Sequence, residues 1–275
     1  MSISPAEFTY VSEFVRSEAA IVLGTGKEYL VEARLDPLVK ELGFGSLSEL
    51  VHALQTKRTP VLKSRVVESL TTNETLFFRD VEPFEILHQE VLPKVLAKRE
   101  DRKELSIWCA ASSTGQEPYS IAMLLRERFP QLEGWRVNIV ATDISEEVLA
   151  KARKGVYTQL EVNRGLPVSY LVKYFQKSGL EWQIKEPIRQ MVSFRQLNLV
   201  KPISGVPMAD IVFIRNVLIY FDLDTKRAVL ESIRRLLRPD GYLFLGGAET
   251  TLNVNDNYSR VPLGKGSCYQ TKGGV

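Results

Sequence analysis

The sequence predicts an α/β protein: an open, doubly wound parallel sheet preceded by an all-α module and interrupted by a small inserted subdomain. Three observations predict this. Apolar residues recur at helical spacing from residue 5 to about residue 70 with no strand candidate. From residue 104 onward, short apolar runs alternate with helices, the signature of parallel strands joined by crossover helices. One connection between those runs is nearly forty residues long, far beyond an ordinary loop.

In chain order, Tyr29, Leu30, Ala33, Leu38, Val39 and Leu42 form an apolar stripe, and Gly43 and Gly45 follow as a stop signal. Ser46 to Leu54 and Val61 to Leu70 continue as short helices, so residues 1–70 read as a domain of four or so helices. In the next stretch, TTNETLFFRD (71–80), Thr71 and Glu74 have the spacing of a helix-capping pair. Asn73, Thr75 and Arg79 of the same stretch read as outward-facing polar groups around Phe77 and Phe78. An amphipathic helix follows over Val81–Lys98, then a charged linker, which makes 71–103 a separate segment.

The strand candidates are Leu105–Ala110, Val137–Thr142, Val192–Leu197, Ile211–Arg215 and Tyr242–Leu245, and the helices are Pro118–Arg128, Glu146–Lys154 and Thr225–Leu237. LLRPDGYLFLG (236–246) reads as a helix end, a Pro-Asp-Gly turn and a strand. Tyr258–Val261 and Ser267–Thr271 form a hairpin around Leu263-Gly264-Lys265-Gly266. Residues 104–275 make the sheet domain. Its insertion covers about 156–191 and holds Tyr157, Tyr170, Tyr174, Phe175 and Trp182.

Composition excludes several classes. Thirty-six Lys and Arg against thirty-three Asp and Glu give +3, too balanced for an indiscriminate nucleic-acid binder. Two cysteines (Cys109, Cys268) and two histidines (His52, His88) have no metal-ligand spacing, so no structural metal or disulfide framework is expected. MSISPAEFTY lacks a basic and then apolar leader, and no run nears the ~20 apolar residues of a membrane helix. The expectation is a cytoplasmic protein with reduced thiols. Two basic patches stand out, Lys57, Arg58, Lys63 and Arg65, and residues 151–190 with eight basic against three acidic residues. Each reads either as a solvated face or as a docking surface for an acidic partner.

The chemistry concentrates at strand ends. In IWCAASSTGQEPYSIAMLL (107–125) a strand enters a loop of small residues, Ala110 to Gly115, and a helix leaves with Pro118 in its first turn. Small side chains there let a ligand approach the backbone, and open parallel sheets bind ligands at the carboxyl ends of their strands. The loop departs from G-x-G-x-x-G, and Glu117 would repel a phosphate but suit an ammonium or sulfonium group. Asp143 ends the second strand, where a ribose diol is held in such sheets, and reads equally as part of a helix cap. Asn198 and Asn216 end the next two strands, either to hydrogen-bond a ligand or simply to turn the chain.

Taken together, TTNETLFFRD, AASSTGQEPYS, ATDIS, LNL, IRNVLIYFD and LRPDG resemble, in order and over nearly the whole chain, the chemotaxis receptor glutamate methyltransferases (CheR). The resemblance implies a class I (Rossmann-like) methyltransferase fold with an N-terminal all-α domain and a small inserted β-subdomain. It implies S-adenosylmethionine as methyl donor, S-adenosylhomocysteine as product, and glutamate methyl esters on receptor cytoplasmic helices. Carried over by position, it assigns the amino-acid part of the cofactor to Asn73, Thr75, Arg79, Arg215 and Asn216, with Glu117 toward the amino or sulfonium side. It gives the ribose to Asp143, the adenine to Asn198 and Leu199, and the surroundings of the transferred methyl group to Arg79 and Tyr220. On this reading 71–103 carries a lid over the cofactor. The implied partners are the cytoplasmic domains of membrane chemoreceptors, with a regulatory protein partner as a further expectation, and neither nucleic acid nor direct membrane insertion.

Two departures from the family pattern matter. YFQKSGLEWQIKEP is a few residues shorter than in members that grip a receptor's C-terminal pentapeptide, so binding independent of that tail is expected. The arginine-rich N-terminal helix of familiar members has only Arg34 and Lys40 here, leaving the 57–65 cluster as its substitute. Three other readings compete: a nicotinamide-dependent oxidoreductase, which wants G-x-G-x-x-G; a nucleic-acid methyltransferase, which wants a proline-aromatic motif where Asn216–Tyr220 stands; and a module that binds S-adenosylmethionine without catalysis.

Overall fold

The computed structural model describes residues 3–57, 59–264 and 266–273. Arg58 of the first basic patch and Lys265 of the terminal hairpin lie outside them. The chain divides into two compact units, residues 1–72 with 220–225, and residues 73–219 with 226–275.

Among the described residues, the 3–72 part of the first unit folds as α1 (Pro5–Ala19), α2 (Glu28–Glu41), α3 (Leu47–Thr56) and α4 (Pro60–Leu70). Three of them begin at side-chain caps. Ser4 and Glu7 form a reciprocal capping box on α1, and Ser46 and Thr59 cap α3 and α4, the latter followed by Pro60. Val11, Val15, Val31, Leu35, Leu50, Leu54 and Val66 are fully buried between them. The inward face of α2 is Val31, Leu35, Leu38 and Val39, while Tyr29, expected on that stripe, is 69% exposed.

The TTNE stretch does not start a helix. Thr71 ends α4, its N–H donating to Val67 O at 3.1 Å and its hydroxyl to Glu68 O at 2.7 Å. Arg34 reaches the same end, donating to Leu70 O (2.7 Å), Thr71 O (2.9 Å) and Thr72 Oγ1 (2.8 Å), so it satisfies carbonyls that the helix leaves open. Two residues of the basic patch are paired within this unit: Lys63 faces Glu18 at 3.5 Å, and Arg65 holds both oxygens of Glu41 at 2.7–2.8 Å. Residues 220–225 join the unit through Val22 N–H donating to Tyr220 O (3.0 Å) and through Arg16 with Asp222 (2.9 Å).

The second unit opens with a helical run: α5 (Glu82–Ile86), one π turn (Leu87–Val91) and α6 (Leu92–Arg99). Then follow β1 (Glu104–Ala110), α7 (Gln116–Arg128), β2 (Arg136–Asp143) and α8 (Glu146–Lys154). The insertion comprises β3 (Val156–Thr158), α9 (Gln159–Asn163), α10 (Val168–Tyr174), β4 (Phe175–Ser178), β5 (Glu181–Ile184) and α11 (Glu186–Arg189). The chain returns through β6 (Val192–Gln196), β7 (Ala209–Ile214), α12 (Leu223–Leu236), β8 (Leu237–Leu245), β9 (Tyr258–Leu263) and β10 (Gly266–Thr271).

The main sheet has seven strands in the order β6-β2-β1-β7-β8-β10-β9. The first five are parallel and β10 and β9 add antiparallel. The insertion forms its own antiparallel sheet, β3-β5-β4, whose β4–β5 turn is Gly179-Leu180 with Gly179 at φ 62°. Strand order reverses at β1 and β7, which pair through Ala110 and Ile214, and their carboxyl ends therefore flank the crevice where such sheets bind ligands.

One predicted turn is absent. Leu237 follows α12 directly into β8, and Pro239-Asp240-Gly241 forms an irregularity within the strand, because Ala209 pairs Leu237 while Ile211 already pairs Tyr242. Arg99 holds the displaced residues, with Nη2 2.6 Å and Nη1 3.1 Å from the Asp240 carboxylate. The same arginine donates Nε to Asp210 at 2.7 Å, and Asp210 also accepts Ser106 N–H at 2.9 Å and faces Arg238 at 3.2 Å.

Candidate active site

The loop after β1 bends sharply. Ala111 (φ 58°) and Ser113 (φ 50°) both sit in the left-handed region, which costs a non-glycine residue of order 1–3 kcal/mol and persists only where the surroundings impose it. The impositions are visible. Ser112 N–H donates to Thr142 O (2.9 Å), Ser113 N–H to Asp143 Oδ2 (2.8 Å), and the Ser113 hydroxyl to Asn73 O (2.7 Å). Gly115 (φ 92°) makes the turn into α7, and a Cβ there would lie 3.0 Å from the Ala152 Cβ. That is why this position takes no side chain.

Asp143, buried at the end of β2, uses its second oxygen on Ser145 N–H (3.0 Å). The cap of α8 is Ser145 itself, which accepts from Val148 N–H. Asp143 is therefore the brace between the β1 loop and the β2 end rather than the cap. Asn198 and Leu199 follow β6, where Leu197 N–H donates to Asp143 O (2.8 Å) and Asn198 Oδ1 accepts Val200 N–H (3.1 Å).

Glu117, in the first turn of α7, is buried beside an equally buried Arg215. Arg215 donates Nη1 to Glu117 Oε2 (2.9 Å), and Nη2 to Asp80 Oδ2 (2.6 Å) and Arg79 O (3.0 Å), with its guanidinium 5.9 Å from the Phe84 ring centroid. Burial pushes the Glu117 carboxyl above its ordinary range, against the pull of Arg215 and, more weakly, of Arg79. Arg215 is thus the counter-ion of Glu117 before it is anything else. Its Nε is buried without a hydrogen-bond partner among the described residues.

Residues 73–80 lie across these loops. Phe78 N–H donates to Ser120 Oγ (3.0 Å), Arg79 Nη1 to Glu74 O (3.0 Å), and Phe78, Asp80 and Val81 all have positive φ. Thr75 is half-buried in the same irregular segment. Phe77, fully buried, packs edge-on to Tyr157 (5.0 Å) and Phe175 (5.7 Å) of the insertion, and the Tyr157 hydroxyl donates to Thr114 O (2.7 Å). Gly165 (φ 87°) permits the approach, since a Cβ there would lie 2.1 Å from Phe77 O.

Hydrogen bonds thus gather two groups, Asn73 with Asp143 through Ser113, and Arg79 with Glu117 through Arg215, with Asn198 attached to the first through Leu197 and Asn216 next to Arg215 in the second. Tyr220, which ends the short helix Leu218–Tyr220, belongs to the helical unit and is half-exposed. Sequence reasoning missed Glu249. It is buried, and both of its oxygens accept backbone N–H groups, from Asn216 (2.8 Å), Val217 (2.9 Å), Leu218 (2.7 Å) and Gly246 (2.7 Å). Asp80, the partner of Arg215, was missed as well.

This donor set suits S-adenosylmethionine. Buried carboxylates at Glu117 and Asp143 match a cationic centre and a ribose diol, the Arg and Asn groups match a carboxylate and a base edge, and the Ala110–Gly115 loop presents no bulky side chain. An open sheet whose switch point carries such a set defines a class I, S-adenosylmethionine-dependent methyltransferase. Residues 73–266 match the model of the CheR methyltransferase, SAM binding domain, and residues 6–71 that of the CheR methyltransferase, all-alpha domain. The chain belongs to the CheR methyltransferase family. It is 44% identical to Chemotaxis protein methyltransferase 1 of Pseudomonas aeruginosa over 99% of this chain and 100% of that one. It is 40% identical to the Chemotaxis protein methyltransferase of Vibrio parahaemolyticus (99% of each chain) and 35% identical to that of Escherichia coli (94% and 89%).

Proposed function

We propose that the enzyme methylates the side-chain carboxylate of specific glutamates on the cytoplasmic helices of chemoreceptors, giving methyl esters and S-adenosylhomocysteine, and that it does so in the cytoplasm. The observation that carries this reading is Arg79. It is half-buried on the segment that crosses the strand ends, acts electrostatically on Glu117, and among the described residues has one N–H engaged, by Glu74 O. A guanidinium with donors to spare is suited to orient a substrate carboxylate. Bound S-adenosylmethionine supplies an electrophilic methyl group. The substrate glutamate, with an unperturbed pKa near ~4.3, is already anionic at neutral pH and needs no general base. What remains for the protein is in-line positioning and exclusion of water, which we assign to Arg79 and Tyr220. Asn73, Thr75, Arg79, Arg215 and Asn216 would hold the amino-acid part of the cofactor, Glu117 its cationic side, Asp143 the ribose, and Asn198 and Leu199 the adenine.

The test is transfer of label from radioactive S-adenosylmethionine to receptor cytoplasmic fragments, followed by release in base. Base-labile label on glutamate is expected, and alkali-stable label would overturn the ester reading. Arg79→Ala and Tyr220→Phe are both expected to slow turnover, and near-normal rates in both would sink the positioning role. The two-residue Gly179-Leu180 turn supports receptor binding without a C-terminal pentapeptide. Micromolar retention of the enzyme by a receptor-tail peptide would contradict that.

A further inference from the structure

Three consecutive N–H groups after β7 converge on one carboxylate. Asn216 donates to Glu249 Oε2 at 2.8 Å, and Val217 and Leu218 to Oε1 at 2.9 and 2.7 Å. A fourth donor, Gly246 N–H, reaches Oε2 at 2.7 Å from the end of β8. Successive N–H groups turned inward form a concavity that attracts anions. Here the chain fills it with its own side chain, 9% exposed. The fit leaves no slack: Asn216 is at φ 59°, and a Cβ on Gly246 would lie 2.8 Å from Glu249 Oε2 and 2.9 Å from both Asn216 N and Asn216 Nδ2.

We propose that Glu249 is a positioning residue for the cofactor, holding the Arg215–Asn216 turn in its binding geometry before S-adenosylmethionine arrives. This rests on the reading that the turn holds the amino-acid part of the cofactor. Each carboxylate oxygen serves two donors, so the division of labour is symmetric. A glutamine at 249 must point its amide nitrogen at one pair or the other. Whichever way it flips, two N–H groups lose their acceptor and face a donor, while shape and volume are kept.

The experiment is calorimetric titration of the full chain with S-adenosylhomocysteine, comparing wild type, Glu249→Gln, Asn216→Ala and the double variant, with melting followed separately. Glu249→Gln is expected to weaken binding by about 10- to 100-fold, the loss expected from one charge-assisted hydrogen bond. The double variant is expected to bind no more weakly than the worse single one, because both changes act on one turn. Purely structural support would lower melting without this coupling. Wild-type affinity in Glu249→Gln, or full additivity in the double variant, overturns the proposal. Unchanged binding in Asn216→Ala would instead remove the reading on which it rests, so the two failures are distinguishable. If Glu249→Gln does not fold, amide exchange in the wild type decides. Protection of Asn216, Val217, Leu218 and Gly246 in the cofactor-free protein supports the proposal, and protection acquired only with S-adenosylhomocysteine overturns it.

Discussion

Replacing Arg215 with methionine isolates the energetics of the buried pair at the strand ends. The side chains of Arg215 and Glu117 are 2% and 11% exposed. Removing the guanidinium strands a carboxylate in a dry site, which costs ~3–5 kcal/mol. The contact with Asp80, whose side chain is 53% exposed, adds little because solvent screens it. For a unit of this size each kcal/mol moves the melting point by about 2–4 °C, so a fall of roughly 6–20 °C is expected. Two controls make the reasoning testable. Glu117→Gln on the Arg215→Met background removes the stranded charge and is expected to recover most of the loss. The second control is pH. Burial already raises the Glu117 carboxyl above 4.5, and loss of Arg215 raises it further. A carboxyl raised in the folded state contributes stability that is present below its unfolded pKa and lost as pH rises through the folded one. The Arg215→Met deficit should therefore shrink between pH 7.5 and pH 5. Urea titrations at both pH values measure it, and an equal deficit at both, or no rescue by Glu117→Gln, refutes the account.

Three further outcomes are expected. Asp210→Asn, beneath Arg99, Arg238 and Ser106, should destabilise by about 3–5 kcal/mol in urea unfolding while S-adenosylhomocysteine affinity in the folded protein stays unchanged, since Asp210 lies near the start of β7 and the proposed ligand groups beyond its end. Gly165→Ala should both strain a φ of 87° and push on Phe77 O, costing ~1–3 kcal/mol and weakening S-adenosylhomocysteine binding measured calorimetrically. Asp222, with its carboxyl lowered to about 2 by Thr225 and Arg16, should contribute stability that is present above its unfolded pKa near 3.8 and lost as pH falls toward 2. Asp222→Asn should flatten that acid limb, followed by circular dichroism between pH 2 and 5.

Much of the fold was legible because buried parallel strands have no polar face to disguise them. Ala209–Ile214 is buried at every position, and Ile211–Ile214 within it reads as one apolar run. The bounds of α8, Glu146–Lys154, follow from Ser145 before it and Gly155 after it. What failed was local pattern overridden by distant partners. Thr71 and Glu74 have capping-box spacing, yet Arg34, 37 residues from Thr71, takes the Thr71 carbonyl and fixes Thr71 as an end. Pro239-Asp240-Gly241 has turn chemistry, yet Arg99, 141 residues from Asp240, holds it in β8. At the site, Glu117 and Asp143 announced themselves by standing at a helix start and a strand end. Asp80 and Glu249 did not, because their partners are set by adjacency across the sheet, 135 residues away for Asp80 and 31 to 33 for the turn that Glu249 gathers.

The packing of Phe77 against Tyr157 and Phe175 bears on how this enzyme can be re-engineered. An insertion bounded by residues 156 and 191 looks like a cassette to be exchanged when a different target is wanted. It is not one. Excising it would strip Phe77 of two aromatic neighbours, leave the Thr114 carbonyl without the Tyr157 hydroxyl, and remove the glycine that lets the 73–80 segment lie close. A working graft has to transplant 73–80 together with the insertion, although some seventy-five residues of unrelated chain separate them.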